Sequence, residues 1–351
     1  MKRYDLRHLS DRFAPRIFEL ANSSQKDEVS IFVFETTEDE KLKTIIKNLN
    51  RKGHEVMNSL RFNEADWMIV VKAFVNESKI SNPLFYAFEK YGVELKTLDR
   101  QSAVLCIGTY FAKDNEILAH ELYEWEKKLI YMSAQEDLNL KRTALKHIKY
   151  EVGSEGGVLA LIAKVFLKDV QIPQDVKDYL DKLDDGYLSA ESNVGEEEME
   201  EIKEAMSDGT MSFLFGRDLY HHPDADLIAA LTALISRFIP LKVSVLDEIE
   251  LKVKPKMLLP PPINELKSFD GTIVYFYDSD EASPKLYGSS QFAIAAKLKD
   301  GDEVSIETSN SVYKSLFFID TNMKGMVAIL GINKNGYRYE AVKVSKRGSN
   351  G

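Results

Sequence analysis

The sequence is poor in cysteine, in glycine and proline, in excess positive charge and in long apolar runs. One cysteine, Cys106, among 351 residues excludes a disulfide scaffold, a CxxC redox pair and any iron–sulfur or zinc centre held by several cysteines of this chain. It fits a reducing compartment. Eighteen glycines and ten prolines are too few for a disordered or fibrous chain. A net charge of −10 argues against a nucleic-acid binder, because neutralising phosphates takes a basic face. The longest apolar stretches, 158–163 and 227–235, reach at most half of the ~20 residues a membrane helix needs. The opening Met1-Lys2-Arg3-Tyr4-Asp5-Leu6-Arg7 lacks the apolar run of a signal peptide. The expectation is a cytoplasmic chain with no direct membrane insertion, held at a membrane only through partners.

What is present divides into three segments, each long enough to bury a core. Residues 1–75 read as strand 4–7, helix 11–21, strand 29–34, helix 38–52 and strands 55–62 and 66–72, with Asn63-Glu64 as a hairpin turn. Leu42, Ile45, Ile46 and Leu49 fall at i, i+3, i+4 and i+7 and form one apolar helix stripe. Both faces of 29–34 are apolar, which puts that strand at the centre of its sheet. The order βαβαββ predicts a two-layer sandwich with both helices on one face. This segment carries a net +1, so the remainder carries −11.

Residues 76–258 alternate strands (103–108, 129–132, 147–150, 211–216, 242–246) with helices (around 84–88, 115–127, 158–167, after Pro173, 196–205, 227–238). Such alternation predicts an α/β unit with a mainly parallel sheet. After Pro260-Pro261-Pro262, residues 263–351 hold β-rich runs at 272–277, 292–297, 304–307, 313–319, 326–330 and 337–344, separated by glycine turns. These predict a small β-barrel or sandwich, of which the barrel is preferred. The fold class is therefore α/β, with a two-layer sandwich before the parallel sheet and a barrel after it.

Chemistry-bearing motifs are few. Glu151-Val152-Gly153-Ser154-Glu155-Gly156-Gly157 lies between a strand and a helix, where backbone N–H groups can receive an anion. Its spacing matches neither GxGxxG nor the P-loop, and its glutamates oppose an anion, so an ordinary turn is preferred. His221 and His222 precede Pro223, Asp224 and Asp226. Adjacent histidines diverge and no HxxxH pairing is present, so a helix start is preferred over a metal site. Cys106 lies in an apolar strand, the usual place of an inert thiol. Glu196, Glu197, Glu198, Glu200 and Glu201 favour a helix N-terminus, as a solvated face first and a docking surface for a basic partner second. No GxSxG, HExxH or Walker motif makes a case for an enzyme acting alone. Trp67, near Arg61 and Asn63 across the expected hairpin, is the one candidate for stacking a flat cofactor such as FMN, against the plain alternative of a Trp packed on its sheet. Trp125 is expected to pack against the neighbouring sheet.

Two stretches carry resemblances. Tyr4-Asp5-Leu6-Arg7, Lys52-Gly53-His54-Glu55 and Asn58-Ser59-Leu60-Arg61-Phe62-Asn63-Glu64-Ala65-Asp66-Trp67 resemble the short E-type accessory subunit that some bacterial NADH-quinone oxidoreductases carry in place of the NADH-input module. In outline this domain also resembles the TusA/SirA sulfur carriers. Asp11-Arg12-Phe13-Ala14-Pro15-Arg16 stands where those have Cys-Pro-x-Pro, so no persulfide can form and sulfur transfer is not carried over. Further on, Ile148-Lys149-Tyr150-Glu151-Val152-Gly153-Ser154-Glu155-Gly156-Gly157 and Gly216-Arg217-Asp218-Leu219-Tyr220-His221-His222-Pro223 resemble stretches of the G-type subunit of the same complex. There they belong to a molybdopterin-oxidoreductase-like region, generally a structural relic. Lys299-Asp300-Gly301-Asp302-Glu303-Val304 and Lys324-Gly325 resemble its C-terminal barrel.

These resemblances imply an accessory, non-catalytic peripheral-arm subunit of a complex I-type respiratory assembly, at the inner membrane through its partner subunits. It would act as a scaffold or dock a soluble electron donor such as flavodoxin or ferredoxin. The competing expectation is a degenerate molybdopterin-type oxidoreductase or flavin-binding redox protein acting alone. No metal site is expected.

Overall fold

The structure is a computed structural model that describes every residue except 1, 23–28, 52–53, 62–64, 73–81, 99–101, 116–117, 119–120, 123–128, 138–143, 208–209, 248, 250, 252, 254–257, 264, 268, 280, 282, 335 and 348–351. The chain forms two compact units, Met1–Asn82 and Pro83–Gly351.

In the first unit, β1 (Lys2–Asp5) is followed by a 3-10 turn (Arg7–Arg12) and α1 (Phe13–Asn22), then β2 (Val29–Glu35), α2 (Asp39–Arg51), β3 (Glu55–Arg61) and β4 (Asp66–Lys72). The sheet order is β1-β2-β4-β3, with β1 parallel to β2 and the other pairs antiparallel. The mixed sheet and central β2 are as the sequence predicts. Phe13, Ile17 and Ala21 of α1 and Leu42, Ile45 and Leu49 of α2 are buried with Phe32, Phe34, Ile69 and Val71. The first helix starts later than the predicted 11, because the residues before Phe13 wind as the tighter 3-10 turn. The predicted hairpin turn at Asn63-Glu64 lies outside the described residues.

The second unit begins with α3 (Pro83–Tyr91), β5 (Ser102–Ile107), α4 (Phe111–Asp114), β6 (Leu129–Ser133) and β7 (Lys146–Lys149). Helices α5 (Glu155–Leu167), α6 (Gln174–Asp181), α7 (Asp185–Ser192) and α8 (Glu196–Met206) follow, then β8 (Thr210–Phe215), α9 (Ala225–Phe238) and β9 (Leu241–Val245). The five strands are all parallel in the order β7-β6-β5-β8-β9. β5 is buried at every position, as a central strand covered on both faces must be. Leu105 and Ile107 pack with α5 and α9, while Val104 and Cys106 pack with Phe111 and Leu122 on the opposite face. Most of the helix predicted over 115–127, with Trp125, lies outside the described residues.

The remaining elements are β10 (Ile273–Tyr277), β11 (Lys285–Gly288), α10 (Ser290–Ala295), β12 (Glu303–Glu307), β13 (Val312–Ile319), β14 (Val327–Gly331), β15 (Tyr339–Ala341) and β16 (Lys343–Lys346). One sheet holds all seven strands, with β15 and β16 at its two ends. Laid flat, six gaps of ~4.8 Å would part those ends by ~29 Å. Only Val342 joins them, a reach of ~7 Å. The sheet therefore curls into a small open barrel.

Along β10, Val274 and Phe276 point into the barrel core, whereas Ile273, Tyr275 and Tyr277 join the core of the α/β layer. The predicted strand 292–297 is instead helix α10. The Ser289 hydroxyl accepts from the Phe292 N–H as an N-cap, and Lys297, at φ 55°, follows its end. The single run predicted over 337–344 is two strands, split where the chain passes from one end of the sheet to the other.

Candidate functional site

In chain order the parallel strands run outward from β5 through β6 to β7, then resume on its other side with β8 and β9. The direction of winding thus reverses between β5 and β8. Open sheets of this kind take ligands at the carboxyl ends of the two strands flanking such a reversal. Here those ends are Gly108-Thr109 and Gly216-Arg217-Asp218.

The two loops touch. Gly216 N–H donates to Ile107 O (2.8 Å), and Asp218 N–H donates to Gly108 O (3.0 Å). A Cβ on Gly216 would stand 2.0 Å from Gly108 O, so only glycine permits this approach.

Side chains from the barrel fill what remains. The Tyr275 hydroxyl donates to Asp218 Oδ1 (2.9 Å) and accepts from Arg338 Nη1 (2.7 Å). Tyr339 donates to Asp218 Oδ2 at 3.4 Å. Arg338 is also paired with Asp114 and, at 3.2 Å, with Asp278. Asp114 in turn accepts from the Thr109 hydroxyl and the Tyr110 N–H. Burial and the nearby Asp114 charge push the Asp218 carboxyl well above the usual range, against the pull of Arg338.

Beside this knot lies a second one. Glu155, first residue of α5, is fully buried; its Oε2 accepts from His222 Nε2 (2.8 Å) and its Oε1 from the Tyr337 hydroxyl (3.0 Å). His222 Nδ1 accepts the Asp224 N–H (2.9 Å), which leaves the ring proton on Nε2 for Glu155. The glutamate whose charge opposes an anion thus ties the start of α5 to the turn before α9 and to the barrel. The glycines around it serve packing. A Cβ on Gly157 would meet Leu266 at 2.5 Å, and one on Gly153, at φ +87°, would meet the Phe269 ring at 2.5 Å.

The His221-His222 pair is divided in role, since only His222 joins this knot. Among the described residues no group of three or more His, Cys, Asp or Glu is placed to hold a metal ion. Cys106 is buried and desolvation pushes its thiol up, the setting of an inert structural thiol.

In the first unit, Trp67 sits on β4 opposite Phe34 of β2 and Arg61 of β3. The Arg61 guanidinium lies 5.4 Å from the indole centroid, and among the described residues the buried indole N–H has no acceptor. Asn63, the third residue of the candidate cofactor site, lies outside the described residues.

Sequence reasoning did not find the Glu155–His222–Tyr337 and Asp218–Arg338–Tyr275 groups. The available signal was polar residues (Glu155, Asp218, His222, Arg338) set inside apolar or aromatic runs.

Comparison with known proteins bears on the first unit. Residues 1–73 match the model of a family described as the putative E-type polypeptide of NADH-ubiquinone oxidoreductase. Among solved structures, the chain is similar to HP1264 from Helicobacter pylori, determined in solution. The two are 41% identical over 100% of that protein and 21% of this one, with a TM-score of 0.19. No curated protein matches. The match over residues 1–73 supports a complex I-like N-terminal domain. Among the described residues no helix is long and apolar enough to cross a membrane.

Proposed function

We propose that the chain is an accessory, non-catalytic peripheral-arm subunit of a proton-pumping NADH-quinone oxidoreductase-type complex. It would stand in the place of the NADH-input module, with an E-type domain fused to a G-type body that carries no cluster. The observation that carries this is the match of residues 1–73 to the E-type family. The non-catalytic role is supported by the crevice between β5 and β8, where Tyr275, Arg338 and Tyr339 occupy the position a substrate would take. A filled crevice suits a body retained for its shape and surfaces, such as one that docks flavodoxin or ferredoxin. Pull-down from detergent-solubilised membranes of the native host tests it. Membrane-arm and peripheral subunits of one complex should co-purify with the chain; a chain recovered without them overturns the proposal. Elemental analysis of the same material should find no iron, molybdenum or tungsten at one per chain once those partners are stripped away.

A flavin held by Trp67, Arg61 and Asn63 is the alternative, favoured by the indole N–H that lacks an acceptor among the described residues. It requires Arg61 to leave the ring face. Titrating FMN against the full-length protein decides it: quenching of flavin fluorescence that is lost in Trp67→Phe supports the site, and unchanged fluorescence rejects it.

A further inference from the structure

Charge in this protein is concentrated in one place. Residues 168–204 hold thirteen carboxylates and four lysines, a net −9 of the chain's −10. They form α6, α7 and α8 with their connections, and Asp175, Asp178, Asp181, Asp184, Glu191, Glu197 and Glu204 among them are exposed.

These helices and α5 enclose a groove of about 480 Å³, within the usual size of a binding cleft. Its floor is apolar: Leu161 and Val165 of α5, Val170 and Ile172 of the connection, Leu180 of α6 and Met199 of α8. Its mouth is balanced, with Lys164, Lys168 and Lys177 against Asp181, Asp185 and Glu196. Lys164 is bound to Asp185 at 2.6 Å, and Lys168 lies 3.2 Å from Glu200. The excess negative charge stands around the groove, not in it.

An apolar slot inside an acidic field has one natural complement. We infer that the groove docks a basic amphipathic helix of a partner protein, with its apolar stripe over the half-buried Val170 and Ile172 and its lysines or arginines over the surrounding carboxylates. Helix-in-groove recognition reads anchors at i, i+3, i+4 and i+7, and a charged field of one sign speeds the encounter and sets its direction. An acidic carrier would be turned away from this face. The inference is independent of the respiratory assignment, since it rests on the second unit alone.

The test uses the full-length protein and a fluorescein-labelled synthetic 18-residue peptide with leucines at that spacing and lysines elsewhere. Two controls are a scrambled peptide of equal composition and a striped peptide with glutamine for lysine. Fluorescence anisotropy should show the striped lysine peptide binding at least tenfold more tightly than either control, with affinity falling as salt rises. Ile172→Asp, at a half-buried position, should weaken it at least tenfold. The exposed triple change Asp181→Asn, Glu197→Gln and Glu204→Gln should flatten its salt dependence, with circular dichroism confirming the fold of each variant. Equal binding of striped and scrambled peptides, equal binding of the glutamine version, or indifference to Ile172→Asp would each overturn the inference.

Discussion

Glu155 and His222, 67 residues apart in the chain, meet at 2.8 Å with neither side chain exposed to solvent. The contact ties the start of α5 to the turn before α9, and the Tyr337 hydroxyl adds the barrel to the same carboxylate. A buried carboxylate is stabilised only by such donors, and each donor needs the carboxylate in return.

Removing it should therefore be costly. Glu155→Ala leaves the His222 N–H and the Tyr337 hydroxyl without an acceptor, and each buried donor left unsatisfied costs about 1–3 kcal/mol. Glu155→Gln keeps the shape and one acceptor and should lose less. Urea unfolding followed by circular dichroism measures both; equal stability of Glu155→Ala and the parent protein would refute the role.

The tyrosines predict an alkaline weakness. Burial holds the hydroxyls of Tyr131, Tyr150, Tyr275, Tyr337 and Tyr339 protonated well past 10.0, their ordinary value. Because the folded values are raised, this stability is complete below pH ~10, where unfolded tyrosines begin to ionise, and is lost as pH rises further. Each such tyrosine adds a slope of about 1.4 kcal/mol per pH unit above that point. Absorbance at 295 nm should show these hydroxyls ionising only together with unfolding. Their titration near pH 10 in a protein still folded would contradict the burial.

Gly216→Ala should disrupt the junction of β5 and β8. Its Cβ would meet the Gly108 carbonyl at 2.0 Å, and backbone cannot yield as a side chain does. The loss should reach or exceed the ~1–3 kcal/mol typical of overpacking, whereas Gly301→Ala, with no atom within 4 Å of the added carbon, should cost only the backbone strain of its positive φ. A thermal melt of the two variants side by side distinguishes them.

Residues 1–82 should fold when expressed alone. The unit encloses its own core of Phe13, Ile17, Phe32, Phe34 and Leu49, and the family match over residues 1–73 falls wholly inside it. Dispersed amide resonances are expected; a collapsed proton spectrum would show that the unit depends on the rest of the molecule.

The sequence displayed the parts of this fold that depend on local pattern. The Leu42–Leu49 stripe, the doubly apolar β2 and the alternation that yields five parallel strands all follow from periodicities of 3.6 and 2. Helix α10 was hidden because six residues make too few turns to show a period, and Phe292-Ala293-Ile294 reads equally well as strand. The break at Val342 was hidden because side-chain alternation continues across it; what changes is the neighbour, which is set by the curl of the whole sheet. Glu155 reads as part of an ordinary glycine turn because its partners are 67 and 182 residues away. Long-range pairs of that kind leave no mark in any window of sequence.

Arg338 neutralises Asp114 from 224 residues downstream. During synthesis, at about 5–20 residues per second, that separation amounts to roughly 10–45 s. The last 93 residues of that interval follow the end of β9 at Val245, so for roughly 5–19 s the parallel strands are complete while the crevice between them stands open, its aspartates uncompensated and its apolar walls wet. The nascent polypeptide thus passes through a stage that the finished protein does not retain, and at that stage a chaperone has most to hold.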